Sequence, residues 1–173
     1  MTRICARLVR SAAMSTLEAL TFDLQGETFA LEANLVREVL DLLPETEVPG
    51  APPFVGAVIN FRGRIIPLVD LRVAFEMERG EPTIDTRIVV IEHPLDGEPA
   101  LIGLRADKVH EVTAITEETT EEVPRIGLRW RTDFIRRLAR RDGDLIVLPD
   151  LDQIFAARGQ TASVTPLHQT QAR

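Results

Sequence analysis

The sequence predicts a mainly β protein made of two small closed barrels. Short runs rich in β-branched residues alternate with frequent glycine turn signals, which is typical of small barrels. Two segment patterns recur in the same order in the two halves of the chain. No long helical pattern supplies the crossover helices that a parallel sheet requires. The 173 residues, 45% of them hydrophobic, are enough for a core without disulfides or metals.

Both chain ends are predicted to lie outside this domain, which we place at residues 17–156. Residues 1–16 hold arginines among small and apolar residues but lack the uninterrupted apolar block of a signal peptide. We expect a disordered extension there, or a misassigned start upstream of Met14 for residues 1–13. Residues 157–173 run into Gly, Gln, Thr, Ser and Pro without periodicity, and we expect disorder there as well.

Charge and composition exclude several classes of partner and compartment. The net charge of −7 argues against nucleic acid, and no arginine stretch is interleaved with aromatic residues. No apolar run approaches the ~20 residues of a membrane span, so direct membrane insertion is not expected. The single cysteine, Cys5, lies in the predicted extension and provides no disulfide framework. A reducing cytoplasm is the simplest compartment.

A weak internal duplication organises the chain. Leu31–Val39, LEANLVREV, and Leu104–Val112, LRADKVHEV, both fit the pattern L-x-A-[N/D]-x-V-x-E-V. A hairpin and the helix start after it also recur. The matching positions are Phe54, Val55, Val58, Gly63, Ile65, Asp70, Leu71 and Phe75 in the first half, and Phe134, Ile135, Leu138, Gly143, Leu145, Asp150, Leu151 and Phe155 in the second. Two matches in the same order favour a duplicated module over coincidence.

Each repeat is predicted to open with a strand pair, followed by the nine-residue segment. The strand pairs turn at Gly26-Glu27 in the first repeat and at Asp96-Gly97-Glu98 in the second. Within the nine-residue segments, Asn34 and Asp107 are placed to cap one short helical turn.

Each repeat then continues through a connector to a second hairpin and a short helix. The connectors are residues 40–53 and residues 113–133. The short helices are predicted to open at Asp70 and Asp150, and the spacing of Asp150 and Gln153 suits a capping box.

The second hairpin of the first repeat places Arg62 at an exposed turn. Gly63 supplies the positive φ of a tight turn, so Arg62 is expected to face solvent or a partner. In the second repeat Gly143 matches Gly63, but Asp142 stands where Arg62 does. The fold is therefore predicted to need both glycines as structural turn residues, and Arg62 suits a binding contact. The alternative is that any polar residue serves at this turn.

The sequence contains few residues in patterns typical of catalytic or metal-binding sites. His93, His110 and His168 have no metal-ligand spacing, and we expect each at the surface. Asp70 and Asp150 are expected to cap helices and not to act as an acid and base pair. Glu38 and Glu111 are explicable as solvent-facing strand positions, and no phosphate-binding glycine loop is present. The acidic run 117–122 lacks the spacing of a calcium loop. We therefore predict no enzyme, no cofactor and no metal.

One stretch of the first repeat resembles a known family. The run from Ile59 to Arg72, INFRGRIIPLVDLR, preceded by Pro53-Phe54-Val55, is similar to the signature of CheW-like domains, found in chemotaxis coupling proteins and in the regulatory domain of the kinase CheA. The resemblance covers about residues 17–156, including ADKVHEV and DFIRRLARRDGDLIVLPDLDQIF in the second half. The family usually has Gly where Ala57 stands and Leu where Phe61 stands.

The resemblance implies two intertwined SH3-like five-stranded β-barrels with a few short helices. It also implies a non-catalytic cytoplasmic adaptor, recruited to membrane receptor arrays, that couples the cytoplasmic tips of chemoreceptors to a CheA-type histidine kinase. The implied kinase-facing residues are Gly56 and Ala57. The implied receptor-facing groove between the barrels contains Val36, Glu38, Arg62, Ile88 and Val112.

Two other classes of function remain open at this level. One is a free-standing CheW-like regulatory or scaffold domain of another signalling pathway. The other is a small β-barrel enzyme, which would need polar residues converging in a pocket and Asp70 and Asp150 away from their helix starts.

Overall fold

The structure, a computed structural model, describes residues 15–124 and 130–159. The proposed extension up to residue 14 and the tail from residue 160 lie outside the described residues. Two predicted boundaries are nevertheless corrected, because the first strand begins at Thr16 and the last helix continues to Gly159.

The described residues form twelve β-strands and two α-helices, which fall into two corresponding sets along the chain. The first set is β1 Thr16–Leu24, β2 Glu27–Glu32, β3 Val36–Asp41, β4 Glu45–Glu47, β5 Ala57–Phe61, β6 Arg64–Val69 and α1 Leu71–Ala74. The second set is β7 Arg87–Leu95, β8 Glu98–Ala106, β9 Lys108–Thr116, β10 Thr120–Glu121, β11 Ile135–Arg141, β12 Asp144–Pro149 and α2 Leu151–Gly159. Short 3-10 turns lie at Ala33–Leu35, Pro53–Val55, Glu117–Thr119 and Thr132–Phe134.

The two repeats exchange their opening hairpins. The first barrel has the strand order β10-β11-β12-β2-β1-β9, and the second barrel has the equivalent order β4-β5-β6-β8-β7-β3. Each sheet therefore takes a hairpin from one repeat and four strands from the other. The hairpin is joined to those strands on one side by a parallel pair, β12 with β2 or β6 with β8, and on the other by an antiparallel pair, β9 with β1 or β3 with β7. The prediction of two intertwined barrels is confirmed. Each sheet has six strands where five were predicted, because the short strands β4 and β10 add one to each.

Four two-residue turns share one backbone conformation. Both central residues have positive φ, as in the type I′ turns that match the twist of antiparallel strands. The φ values are +51° and +77° at Gln25-Gly26, +51° and +80° at Arg62-Gly63, +52° and +83° at Asp96-Gly97, and +52° and +90° at Asp142-Gly143. The first turn thus lies one residue earlier than the predicted Gly26-Glu27, and Glu27 already belongs to β2.

The predicted helix starts are confirmed. A side-chain oxygen of Asp70 accepts a hydrogen bond from the backbone N–H of Arg72 at 3.1 Å, and Asp150 accepts one from that of Gln153 at 3.1 Å. Each carboxylate satisfies an N–H group that the first helical turn leaves unpaired.

The predicted caps at Asn34 and Asp107 are wrong. The 3-10 turn Ala33–Leu35 follows Glu32 and has no side-chain cap, and Asp107 lies between β8 and β9 without a helical turn. Instead, Asp107 accepts hydrogen bonds from the Gln25 N–H at 2.7 Å and from Arg72 Nη1 at 3.1 Å.

Three clusters of buried residues hold the fold together. One, around Ile115 and Ile146, belongs to the first barrel, and another, around Ile59 and Ile88, belongs to the second. The largest contains residues of both barrels, including Phe29, whose ring centroid lies 5.1 Å from that of Phe75. Because this inter-barrel core is shared, the barrels bury apolar surface against each other.

Arg72 is a buried cation at the junction of the barrels. It is 2% exposed, and its Nε and Nη2 donate to the two oxygens of Asp70, both at 2.9 Å. Burial alone would lower the pKa of Arg72, but the hydrogen bond to Asp70 and the charges of Asp70 and Asp107 hold that pKa above its ordinary value. The guanidinium thus stays charged and links α1 to the crossover between β8 and β9.

Candidate partner-binding site

Strand β5 connects the two surfaces proposed from the sequence. Gly56 and Ala57 lie at its beginning, and Arg62 follows directly after its last residue, Phe61. At about 3.3 Å per residue, five extended residues span roughly 13 Å from the first Cα to the last. The two candidate surfaces are therefore neighbours on one short strand.

Arg62 is exposed and held at a conformationally costly position. Its φ of +51° lies in the left-handed region, which residues with a long side chain seldom adopt. The side chain is 73% exposed, and Nη2 donates to Glu38 Oε2 at 2.6 Å. The guanidinium carbon also lies 5.4 Å from the centroid of the Phe61 ring, within the range of a cation–π contact.

The Glu38–Arg62 ion pair connects two distant parts of one curled sheet. Glu38 lies on the edge strand β3, and Arg62 lies in the turn between β5 and β6, with β7 and β8 between them in the strand order. The ion pair therefore joins β3 to the turn between β5 and β6 where the curled sheet closes into the second barrel.

The first barrel has an equivalent ion pair with a different arginine. Glu111 matches Glu38 in the repeat, and its Oε1 lies 3.1 Å from Nη2 of Arg141, the last residue of β11. Asp142 takes the turn position that Arg62 occupies in the second barrel. Closing a barrel with this ion pair therefore does not require an arginine at the left-handed turn position.

The implied receptor-facing residues lie in different environments. Val36 is half-buried against the inter-barrel core, and Glu38 is partly exposed beside Arg62. Ile88 has 0% exposure and lies inside the second barrel, opposite Leu40. The structure thus corrects the expected contact at Ile88, because that side chain supports β3 from within and offers no surface to a partner.

Val112 lies apart from the other four residues. It is 54% exposed on β9, the edge strand of the first barrel, whereas the others belong to the second barrel. Its repeat equivalent, Val39 on β3, is also exposed. Val112 pairs with Leu20 and Val39 with Val89, and both partners belong to the inter-barrel core. Each valine therefore lies at the margin of that core, one on each barrel.

Four exposed apolar residues were missed at the sequence level, namely Val39, Val48, Ile65 and Ile84. Val39 occupies the same position of the nine-residue pattern as Val112, so the repeat itself carried the signal. Ile65 is 68% exposed and is the second residue of β6, on the outer side of the Arg62 hairpin. Its strand pattern gave no reason to separate it from the buried residues of the same run.

Gly56 and Ala57 line an open, charged groove beside β4. Gly56 O accepts from the Val48 N–H at 3.0 Å, and its φ of −78° makes no demand for glycine. Ala57 is buried in the second barrel and pairs with Glu47 of β4. The methyl group is thus accommodated where the family usually has Gly. Charged side chains in the same groove are Glu45, Glu47, Asp70, Arg79 and Arg105.

The surface position expected for His93 is wrong. The side chain is 5% exposed because β7 passes beneath α2, and the ring lies edge-on to Phe155 at 5.2 Å. Its Nε2 lies 3.2 Å from Asp152 Oδ1, and Nδ1 lies 3.0 Å from Pro94 O. Burial lowers the pKa of His93, Asp152 opposes that shift and Arg136 adds to it.

Within the described residues, His110, Asp70 and Asp150 are not brought together as a reaction centre. His110 is partly exposed, with Nε2 2.7 Å from Asp23 Oδ2, and His168 lies outside the described residues. Asp70 and Asp150 stay at their helix starts. Across residues 15–124 and 130–159, no three His, Cys, Asp or Glu side chains are placed to hold a metal ion. In the same ranges no helix has the length and apolar character needed to cross a membrane.

Comparison with known proteins agrees with this architecture. The family model of the CheW-like domain matches residues 18–159. Chemotaxis protein CheW of Rhizobium meliloti is 28% identical over 146 residues, covering 84% of this chain and 92% of that protein. Chemotaxis protein CheW of Thermotoga maritima is 29% identical over 150 residues, covering 83% and 90%. The crystal structure of the scaffolding protein TtCheW from Thermoanaerobacter tengcongensis has a TM-score of 0.71 and 31% identity, covering 82% of this chain and 93% of that one. The family model matches most of this chain, which shows that the chain belongs to the CheW-like domain family.

Proposed function

We propose that this chain is a non-catalytic adaptor that couples the cytoplasmic tips of chemoreceptors to a CheA-type histidine kinase. Membership of the CheW-like family supports the proposal, as does the likeness to a solved scaffolding protein. The observation that carries it is the placement of Arg62, whose guanidinium is exposed at a left-handed turn that the fold does not require to be arginine.

The proposed receptor-facing surface centres on Arg62 and Glu38. Val36 lies on the same strand as Glu38, and Val39 and Val112 add exposed apolar surface at the margin of the inter-barrel core. A guanidinium beside apolar side chains suits a helical partner that presents both a carboxylate and an apolar stripe. Ile88 contributes by supporting β3 and not by contact.

The proposed kinase-facing surface is the groove at the other end of β5. Gly56 and Ala57 are among its lining residues, and small residues let a partner backbone approach closely. The groove contains side chains of both charges, and Arg105 and Glu45 already form an ion pair within it. Charged rims of this kind mainly set the partner and the orientation of docking.

We expect both interfaces to be modest in size, which suits reversible assembly. Interfaces of roughly 800 Å² per partner or less, with a few anchoring residues, are typical of transient signalling contacts. An adaptor of this kind would act in the cytoplasm and reach membrane receptor arrays through its partners.

The test is a binding and phosphorylation assay with a receptor-tip fragment and a CheA-type kinase. Arg62→Ala is expected to reduce receptor-tip binding about tenfold or more, as for a central anchor, and to leave kinase binding and the circular dichroism spectrum unchanged. Arg141→Ala removes the equivalent arginine of the first barrel and is the matched control. If the wild-type chain binds neither receptor tip nor kinase, the adaptor role is wrong and a regulatory domain of another pathway is favoured.

A further inference from the structure

We propose that the segment preceding Ser15 binds a groove at one end of the first barrel of its own chain. In this arrangement Leu8 and Val9 enter the groove, and Arg7 and Arg10 pair with carboxylates at its margin. The segment thereby closes this end of the first barrel. The inference does not depend on the receptor and kinase roles proposed above.

The first-barrel groove is an apolar opening where the ends of several strands meet. Its volume is about 250 Å³, and its apolar lining residues are Leu17, Ile115 and Leu148. Ile115 and Leu148 are buried members of the first-barrel core cluster, and Leu17 packs against that cluster. An apolar side chain placed in the groove would therefore cover core residues and gain from leaving water.

The core of the first barrel is built from smaller residues than that of the second. Ala139 pairs with Ile146 across β11 and β12, at the position where Ile59 pairs with Ile66 across β5 and β6. The first-barrel cluster contains three alanines, Ala19, Ala30 and Ala139, whereas the second-barrel cluster contains one, Ala57. Less side-chain volume is therefore available to fill the first barrel from within.

The direction of β1 leads the segment past this groove. Ser15 lines the groove, and its Oγ donates to Glu117 Oε1 at 2.6 Å. Because β1 is antiparallel to β9, with Thr16 opposite Thr116, residues before Thr16 approach those that follow Thr116. Val9 precedes Ser15 by six residues, a reach of at most ~20 Å. The segment is thus long enough to turn back over the groove.

The segment has the chemistry that fits the first-barrel groove. Residues 1–14 contain three arginines and neither Asp nor Glu. Leu8 and Val9 stand directly between Arg7 and Arg10, so an apolar pair is bracketed by two cations. Composition alone predicts disorder for this segment, because it has no core of its own. The groove supplies an apolar surface that composition cannot show.

The margin of the groove has the opposite charge. Glu118 and Glu122 are exposed, and neither forms an ion pair with another residue in the described part of the chain. Within the groove Glu32 and Arg136 pair at 2.6 Å, which leaves Arg137 as the lining cation without a carboxylate among the described residues. The arginines of the segment are therefore attracted to the side of the groove that carries Glu118 and Glu122.

The experiment uses Cys5, the only cysteine of the full-length chain. A nitroxide attached to Cys5 broadens the NMR signals of amides close to it. Relative to the reduced label, the amides of Leu17, Ile115 and Thr120 are expected to lose most of their intensity, and that of Gly63 is expected to lose none. Raising the salt from about 0.1 M to about 1 M should restore the signals, because the Debye length falls from about 10 Å to about 3 Å.

Charge reversal at the margin gives a matched comparison. The double variant Glu118→Lys, Glu122→Lys is expected to restore the signals of the groove. The double variant Glu78→Lys, Glu81→Lys changes the net charge equally, in the exposed residues before β7, and should leave the signal loss in place. An equal loss in both double variants would overturn the inference, as would a wild-type loss that does not include the groove.

A mixed sample distinguishes binding within one chain from binding to a second copy. Nitroxide-labelled chain is mixed with isotope-labelled Cys5→Ser chain, and only the latter is observed. Its groove signals are expected to keep their intensity, because the segment binds its own barrel. Loss of those signals would show that the segment binds another molecule, and the inference would be wrong.

Discussion

Arg72 Nη1 and Asp107 Oδ1 lie 3.1 Å apart and join parts of the molecule that are separated by the exchange of hairpins. Arg72 lies on α1, which follows β6 of the second barrel. Asp107 lies where the chain crosses from β8 of the second barrel to β9 of the first. The other carboxylate oxygen of Asp107 accepts from the Gln25 N–H in the turn between β1 and β2. One buried guanidinium is therefore linked, through a single aspartate, to both barrels.

Arg72→Met is expected to destabilise the protein by about 3–5 kcal/mol, because it leaves Asp70 buried without its cation. The measurement is chemical denaturation followed by circular dichroism. Arg79→Ala is the control, since Arg79 lies 3.8 Å from the same carboxylate but is half exposed, and its loss should cost about 0–1 kcal/mol. Equal effects of the two changes would show that the buried network does not carry the stability assigned to it.

Features that depend on neighbouring residues in the sequence could be predicted. Turn glycines at Gly63 and Gly143 and helix caps at Asp70 and Asp150 are set by the backbone within a few residues. The duplication also gave the equivalence of Arg62 and Asp142, because both lie directly before their turn glycine. It did not show that this position is itself left-handed, since that depends on the type of turn.

Features that depend on the exchange of hairpins could not be predicted. Asp107 was expected to cap a local helical turn, but its partners belong to the turn at Gln25 and to α1. His93 was expected at the surface, but α2 of the same repeat covers it together with Phe155. Ile88 was expected to contact a partner, but β7 places it inside the second barrel. In each case a non-local contact decided the environment.

Gly143→Ala is expected to destabilise the protein by ~1–2 kcal/mol, because a Cβ disfavours the left-handed conformation. A Cβ there would meet no atom within 4 Å, so the cost arises from the backbone and not from a clash. Gly56→Ala should have the opposite sign, a stabilisation of roughly 0.4–1 kcal/mol, because φ is −78° and the nearest atom to an added Cβ lies 3.8 Å away. Thermal unfolding of both variants measures the difference. A loss of stability at Gly56 as large as that at Gly143 would contradict this account.

Phe61→Leu, which restores the residue usual in the family, is expected to weaken receptor-tip binding. The ring lies 5.4 Å from the Arg62 guanidinium carbon, and an exposed cation–π contact contributes about 0.5–1 kcal/mol. Affinity for the tip fragment should fall ~2- to 5-fold, and kinase binding should not change. Phe61→Leu in the Arg62→Ala background is the control. If it weakens binding equally there, the ring acts through the barrel core and not through Arg62.

Folding stability is expected to fall as the pH drops below about 6.5, the ordinary pKa of histidine, because of His93. Burial holds the pKa of His93 below that value in the folded protein. Between the two pKa values the unfolded chain binds more protons than the folded one, so acidification favours unfolding. Stability therefore rises with pH until it levels off above the unfolded-state pKa.

His93→Gln should remove this part of the pH dependence. Asp152→Asn should increase it, because Asp152 favours the protonated ring and its loss lowers the folded-state pKa further. Denaturation curves measured between about pH 5 and 8 test both variants, and a wild-type stability that increases on acidification through this range would contradict the burial argument.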